Sequence, residues 1–237
     1  MMITERQENI LNILIKEYIN SAQPVSSKLL EKKHDFGVCP ATIRTEMQKL
    51  TDAGFLYQPY TSAGRVPTDK GYRFFVNELL EKEINNLEED LIFDVDFRKE
   101  MEDSFKFVQS VTKFLATESS NLALGYLSAE EILMKEGWKE IFEEPEFRES
   151  DCAARFTKMI DDFERNINNL FSGSLEDSEI QVYIGKENPA SKIKDFSIIA
   201  LNFASSNNQG IFAILGPKRM GYSKNISLLY NLKDLLK

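Results

Sequence analysis

The sequence predicts an α+β protein, in which a small helical module with a β-ribbon precedes a larger mixed region. Three observations lead there. Between Thr4 and Leu50, apolar residues recur at helical spacing in three short runs, punctuated by Pro24, Gly37 and Pro40. Phe55 to Val66 reads as two strands around the turn Thr61-Ser62-Ala63-Gly64. Near Ile180 the pattern changes to the alternation of strands, starting with Ile180-Gln181-Val182-Tyr183-Ile184.

Each element follows from its residues. Thr4 with Gln7 makes a capping pair, and Ile10, Leu11, Leu14, Ile15, Tyr18 and Ile19 form one side of a first helix. Ser21 to Pro24 ends it, because a proline disfavours helix at the residue before it. Ser26 or Ser27 caps a second helix with Leu29 and Leu30 inward, closed by Asp35-Phe36-Gly37. Pro40 opens a third helix at the position where its missing N–H costs nothing. There Ile43, Met47 and Leu50 face a core, and Thr42, Arg44, Thr45, Gln48 and Lys49 face outward. Gly54 stops that helix. Two helices, a turn and a third helix is helix-turn-helix order, and the following hairpin is the wing. Pro67 makes its return strand an edge. Thr68 caps the next helix, whose apolar side is Tyr72, Phe75, Val76 and Leu79.

Residues 81–96 read as an acidic connector. Phe97, Met101, Phe105, Val108 and Leu115 mark one helical stripe, and Phe107, Val111 and Phe114 another. A helix apolar on two stripes needs two partner surfaces, a core or a dimer seam or both. Residues 119–127 are a strand or a buried turn, and Ser128 caps a short helix carrying Ile132 and Leu133. After Trp138, Ile141, Phe142 and the Pro145-Glu146-Phe147 segment, Phe156, Ile160, Phe163, Ile167 and Leu170 make an amphipathic helix ended by Ser172-Gly173-Ser174. Phe196–Phe203 and Gly210–Leu215 pair as an antiparallel hairpin turned at Asn207-Asn208. Gly216-Pro217 breaks the sheet, and Ile226, Leu229, Leu232 and Leu236 lie on a closing helix. The expected division is 1–80, a connector at 81–96, and 97–237, the last being helical over 97–172 with a three-stranded sheet and a helix over 180–237.

Composition limits the function. With 42% apolar residues in 237, a real core is available. No apolar run approaches the ~18 residues of a membrane span. The opening MMITERQENIL is too polar for a signal peptide, so a cytoplasmic location is expected. Cys39 and Cys152 are expected to be reduced thiols, and with His34 they form no metal-ligand pattern. His34 reads as an ordinary exposed residue. No nucleophile–base arrangement or phosphate-cradling glycine loop can be assembled, so neither enzyme nor cofactor is expected. The net charge of −9 is unevenly spread. Residues 1–80 carry +1, 81–180 carry −15 and 181–237 carry +5, so the acid sits away from the helix-turn-helix.

That module carries groups suited to duplex DNA. Arg44 can fork onto a guanine edge, Gln48 can pair with adenine, and Thr42 or Thr45 can meet phosphate or a thymine methyl. Lys49 suits the backbone. In the wing, Arg65 is the candidate for phosphate or minor groove, supported by Thr61 and Ser62, with Gly64 letting the hairpin turn tightly and approach the backbone. Lys70 and Arg73 add candidate phosphate contacts. One module reads few base pairs, so genomic specificity calls for a homodimer on a two-fold site.

At these residues the chain resembles the HrcA family, the heat-inducible transcription repressors of bacteria. The resemblance is carried by ITERQENIL (3–11), EYI with PVSSKLL (17–30), ATIRTEM (41–47) and QPYTSAGRVPTDKGYRFFV (58–76). It continues in EGW with EEPEF (136–147), VYIGKENP (182–189) and ILGPKRMGYSKNI (214–226). The resemblance implies a winged helix-turn-helix domain, then an abbreviated GAF-like α/β domain with an inserted helical dimerisation segment. It implies a dimer on an inverted-repeat operator before chaperone genes, with activity dependent on the chaperonin. Thr45 stands where the family usually has asparagine, and Tyr60 where histidine is usual. The chain is also shorter before the Pro-Glu-Phe segment, so the first strand-rich part of the GAF-like domain is expected to be missing around 119–130. Other readings left open by the residues are a ligand-sensing winged-helix regulator of another operon and a non-DNA protein-interaction module.

Overall fold

The structure, a computed structural model, describes residues 3–85, 103–170, 180–189, 191–204 and 209–236. It is an α+β fold in two compact units, Met1–Lys82 and Glu83–Lys237.

In the first unit, α1 (Glu5–Ser21), α2 (Ser27–Lys33) and α3 (Pro40–Asp52) precede a hairpin of β1 (Leu56–Tyr57) and β2 (Val66–Pro67), and α4 (Asp69–Asn85) follows. The Thr4–Gln7 capping box is formed: the Thr4 hydroxyl accepts from Gln7 N–H and the Gln7 side chain from Thr4 N–H. Ser26 caps α2. Ile10, Leu11, Leu14 and Ile15 of α1, Leu30 of α2 and Ile43 and Leu50 of α3 are fully buried. Each such side chain contributes about 1.5–3 kcal/mol of burial. Gly54, at φ +79, ends α3, with Phe55 N–H bonding the Leu50 carbonyl and Gly54 N–H the Thr51 carbonyl at 2.9 Å each. This is the glycine-dependent helix stop that the sequence predicts. Thr68 caps α4, accepting from Gly71 N–H while donating to the Gly54 carbonyl.

The return strand is less of an edge than Pro67 suggests. Val25, in the α1–α2 connection, exchanges both backbone hydrogen bonds with Arg65 at 2.9 and 2.8 Å. The ribbon therefore has a third short member on its far side. His34 is also not an ordinary exposed residue. It is half-buried, and its Nε2 lies 2.9 Å from Glu17 Oε1, whose other oxygen accepts from Lys33 at 2.6 Å.

The second unit comprises α5 (Ser104–Ser119), β3 (Leu122–Leu127), β4 (Ile132–Glu136), α6 (Trp138–Phe142), a 3-10 turn (Pro145–Arg148), α7 (Cys152–Leu170), β5 (Ile180–Ile184), β6 (Phe196–Ala204), β7 (Gln209–Pro217) and α8 (Tyr222–Leu235). Its sheet is wholly antiparallel, in the order β4-β3-β7-β6-β5. One face, with Leu122, Leu124, Ile198, Ala213 and Leu215, packs on Phe156, Met159, Ile160 and Phe163 of α7. The alternate residues face α5 and α8. The Phe107 ring meets Phe212 at 5.9 Å, and Ser197 lies 2.8 Å from the Tyr222 hydroxyl. Because that hydroxyl's proton goes to the Lys218 carbonyl, Ser197 is the donor. Gly125 is required here, since a Cβ would lie 2.2 Å from Thr112 Oγ1.

Several expectations change. Residues 119–127, open between strand and buried turn, hold β3 at 122–127, which pairs on both sides. Ile132 and Leu133 belong to a strand, not a helix, because Ile132–Glu136 hydrogen-bonds in register along β3. The sheet has five strands rather than three, and 97–172 is not wholly helical. Gly216-Pro217 ends β7 while still paired with Ser197 and Phe196. Of the two apolar stripes on α5, Phe107, Val108, Val111 and Leu115 are buried together, whereas Phe105 is 51% exposed. Phe97 and Met101, residues 86–96 of the connector, Ser172-Gly173-Ser174, the Asn207-Asn208 turn and the Leu170 side chain lie outside the described residues. Among the described residues no helix is long and apolar enough to cross a membrane. Cys39 and Cys152 are both free thiols.

Candidate nucleic-acid interface

The outer face of α3 is solvent-facing because its inner face is committed. Ile43, Met47 and Leu50 are buried, and so is Glu46. Glu46 is an unexpected buried charge, and its partners explain it. Gln7 Nε2 donates to Glu46 Oε2 at 2.7 Å, and Lys49 Nζ lies 3.0 Å from Oε1. Those bonds, from Lys49 first and Gln7 second, outweigh burial and hold its pKa below the ordinary glutamate value. The same Gln7 side chain closes the cap of α1, so one amide ties that cap to α3.

Arg44, Thr45, Gln48 and Lys49 are exposed on this helix, and Thr42 is half-buried at its start. Arg44 makes no hydrogen bond or ion pair among the described residues, so its guanidinium is available to a ligand. Thr45 spends its hydroxyl proton on the Ala41 carbonyl at 3.0 Å. Thr42 Oγ1 lies 3.3 Å from Cys39 Sγ. Gln48 donates to Asp52 Oδ1 and accepts from Arg65 Nη2, both at 2.8 Å.

The hairpin tip is built differently from the sequence expectation. A turn over Tyr60–Ala63 is closed by the Ala63 N–H to Tyr60 carbonyl bond at 2.9 Å, and none of its residues has a positive φ. Gln58 Nε2 donates to the Thr61 and Ala63 carbonyls at 2.8 and 2.9 Å and holds the loop closed. Thr61 and Ser62 are exposed at its apex. Gly64 is needed not for the turn but for a close approach within the protein, since a Cβ there would lie 2.4 Å from the Val25 carbonyl group.

The three remaining basic residues are more constrained than expected. Arg65 lies against α3, with Nε donating to Thr51 Oγ1 at 3.0 Å in addition to its bond with Gln48. Lys70 is exposed but engaged within the protein. Its ammonium donates to the Ala53 carbonyl at 2.7 Å and sits 4.2 Å from the centre of the Phe55 ring, acting as a cation at the C-terminus of α3. Arg73 is half-buried, with Nη1 3.5 Å from Asn77 Oδ1. Sequence reasoning missed Thr51, Asp52 and Gln58, which hold the site together. It also passed over Tyr57 and Tyr60, at 47% and 64% exposed, as interface candidates. Polar residues in a turn sequence signal exposure, but not which partner they take.

Residues 69–226 match the family model described as HrcA protein C terminal domain. The chain belongs to the HrcA family. The heat-inducible transcription repressor HrcA of Thermodesulfovibrio yellowstonii is 27% identical over 333 aligned positions, covering 96% of this chain and 95% of the relative. That of Natranaerobius thermophilus is 27% identical over 336, covering 100% and 96%. These alignments are longer than the 237 residues of this chain, so such HrcA relatives contain internal stretches that it lacks. The HrcA of Alkaliphilus metalliredigens is 55% identical over 85 residues, 36% of this chain and 25% of the relative. A solved structure described only as a hypothetical protein shares the fold, with a TM-score of 0.78 and 18% identity, covering 99% of this chain and 98% of the other.

Proposed function

We propose that this chain is a transcription repressor that binds duplex DNA through α3. The carrying observation is the exposed α3 face, with Arg44 unengaged beside Gln48 and Lys49, on a helix whose inner side is fully committed. In this reading the first unit is a winged helix-turn-helix, α3 enters the major groove and the β1–β2 hairpin is its wing. Arg44 reads guanine and Gln48 adenine, Thr42 or Thr45 meets phosphate or a thymine methyl, and Lys49 with the wing's Thr61 and Ser62 lies along the phosphate backbone. Arg73 flanks the backbone.

The second unit is the GAF-like regulatory and dimerisation domain, and a homodimer spans an inverted-repeat operator. The operator lies before chaperone genes, and activity depends on the chaperonin; family membership supports both statements. Repression takes place in the cytoplasm, and the protein carries out no catalysis.

The test is binding to a fluorescein-labelled duplex carrying the inverted repeat upstream of the source genome's chaperone genes, against a random duplex of equal length. Wild-type protein should prefer the repeat, and affinity should fall steeply with salt as counterions are released. Arg44→Ala should lose roughly tenfold or more on the repeat. Equal binding to both duplexes, or none, would overturn the reading and favour a protein-interaction module.

A further inference from the structure

We infer that Arg65 is a positioning residue for Gln48 rather than a phosphate contact. This inference rests on the DNA-reading role of α3 and deepens it. Three observations carry it.

The first is the direction of the hydrogen bonds around Gln48. A carboxamide has a donor end and an acceptor end that are nearly the same shape, and rotating it by half a turn exchanges them. Arg65 Nη2 can only donate, and it lies 2.8 Å from Gln48 Oε1. Asp52 Oδ1, as a carboxylate, only accepts, and it lies 2.8 Å from Gln48 Nε2. With a pure donor at one end and a pure acceptor at the other, the flipped amide would meet N–H against N–H and oxygen against oxygen. Its orientation is therefore chosen by its neighbours.

The second is what remains. Each of those bonds uses one N–H and one lone pair, leaving a second N–H and a second lone pair on the same amide. That is the donor–acceptor pair that matches the N7 acceptor and N6 donor of adenine. Fixing the amide in the free protein removes a cost that a freely rotating glutamine would meet on binding.

The third is that Arg65 is itself held. Its backbone exchanges both hydrogen bonds with Val25, and Thr51 Oγ1 takes its Nε at 3.0 Å. Thr51 in turn donates to the Met47 carbonyl at 2.9 Å. Gly64 lets this contact close, since no Cβ fits against Val25. The side chain thus runs from a fixed strand to a fixed helix, and Gln48 is the end of the chain of contacts.

A phosphate contact and a positioning contact predict different data. The test uses full-length protein and the inverted-repeat duplex, with a panel of duplexes substituted singly at each half-site base pair. Gln48→Ala should flatten discrimination at one or two positions. Arg65→Ala should flatten the same positions by roughly tenfold or more. The double variant should lose no more than either single one. The slope of log affinity against log salt should stay at the wild-type value. Arg65→Lys keeps the charge but cannot reach two partners as a fork, and it should behave like Arg65→Ala in the base panel. If Arg65→Ala unfolds the first unit, Arg65→Lys and Thr51→Val supply the same comparison. A slope reduced by about 0.9 per protomer with the base profile intact would overturn the inference in favour of a phosphate contact. Additive losses in the double variant would also overturn it. If the wild type shows no preference for the repeat, the DNA-binding reading fails instead.

Discussion

Arg219 forks onto Glu146, with Nε 2.6 Å from Oε1 and Nη2 2.9 Å from Oε2, while Nη2 also reaches Glu144. Two segments far apart in sequence, EEPEF and GPKRM, are thereby clamped together. The Arg219 side chain is only 11% exposed. Burial alone would lower its pKa, but hydrogen bonds and charge from Glu146 and Glu144 more than offset that and raise it. Arg219→Ala would leave two carboxylates crowded without a counter-charge. A loss of about 2–4 kcal/mol is expected, somewhat below that of a fully buried pair, and Arg219→Lys should recover part of it. Urea unfolding of the second unit, followed at Trp138, checks both.

Two carboxylates of the first unit make its stability pH-dependent. Glu17 is held below the ordinary value of 4.5 by hydrogen bonds from Lys33 and then His34. Glu46 is held below 4.5 by Lys49 and then Gln7. A depressed folded-state pKa means that the unfolded chain binds the proton more readily. The stabilisation is therefore complete above 4.5 and disappears as pH falls through the lower folded values. Glu17→Gln and Glu46→Gln should each lower the melting temperature at pH 7, and their differences from wild type should shrink as pH falls below 4.5. A difference independent of pH would refute the assignment.

Gly64→Ala tests the packing behind the hairpin. The new methyl would lie 2.4 Å from the Val25 carbonyl group, which is backbone and cannot rotate away. Forced overpacking of this kind costs about 1–3 kcal/mol. The strain falls on the Val25–Arg65 bridge, so the variant should reproduce in part the base-panel defect of Arg65→Ala while still folding below its lowered melting temperature.

The two thiols should differ in reactivity. Cys39 is exposed at the start of α3, and hydrogen bonds from the Thr42 side chain and backbone lower its pKa. Cys152 is buried in the α7 core, and burial raises its pKa. Iodoacetamide at pH 7.5 (about a unit below a free thiol's pKa) should label Cys39 first and Cys152 only on unfolding. Equal rates in the native protein would contradict the described burial.

The parts of the fold readable from sequence were those where one local rule decides. Thr4 with Gln7, Pro40 at the head of α3 and Gly54 at its end each fix a helix boundary without help from distant residues. The strand β4 was misread because Ile132-Leu133-Met134 is too short for periodicity to separate helix from strand, and its partner in β3 decided the matter. At the candidate site, outward-facing residues followed from the spacing of Ile43, Met47 and Leu50. What each outward group binds did not, since Lys70 on the Ala53 carbonyl and Arg65 on Gln48 depend on tertiary approach. Glu46 shows the same limit: the spacing assigned it to neither face, and its buried charge is intelligible only once Gln7 is beside it.

The antiparallel order β4-β3-β7-β6-β5 has a kinetic consequence. Leu122 pairs with Leu215, so β3 waits for a strand encoded far downstream. Gly210 through Pro217 is buried throughout and carries no charge, the composition of a segment that self-associates when bare. Pairings at such long separation form slowly, and until β3 and β7 meet, their facing edges are unpaired. Gly210–Leu215 is therefore the stretch of this unit that is most prone to self-association while it stays uncovered. A folding helper that sequesters that stretch would raise the amount of native protein without changing its stability.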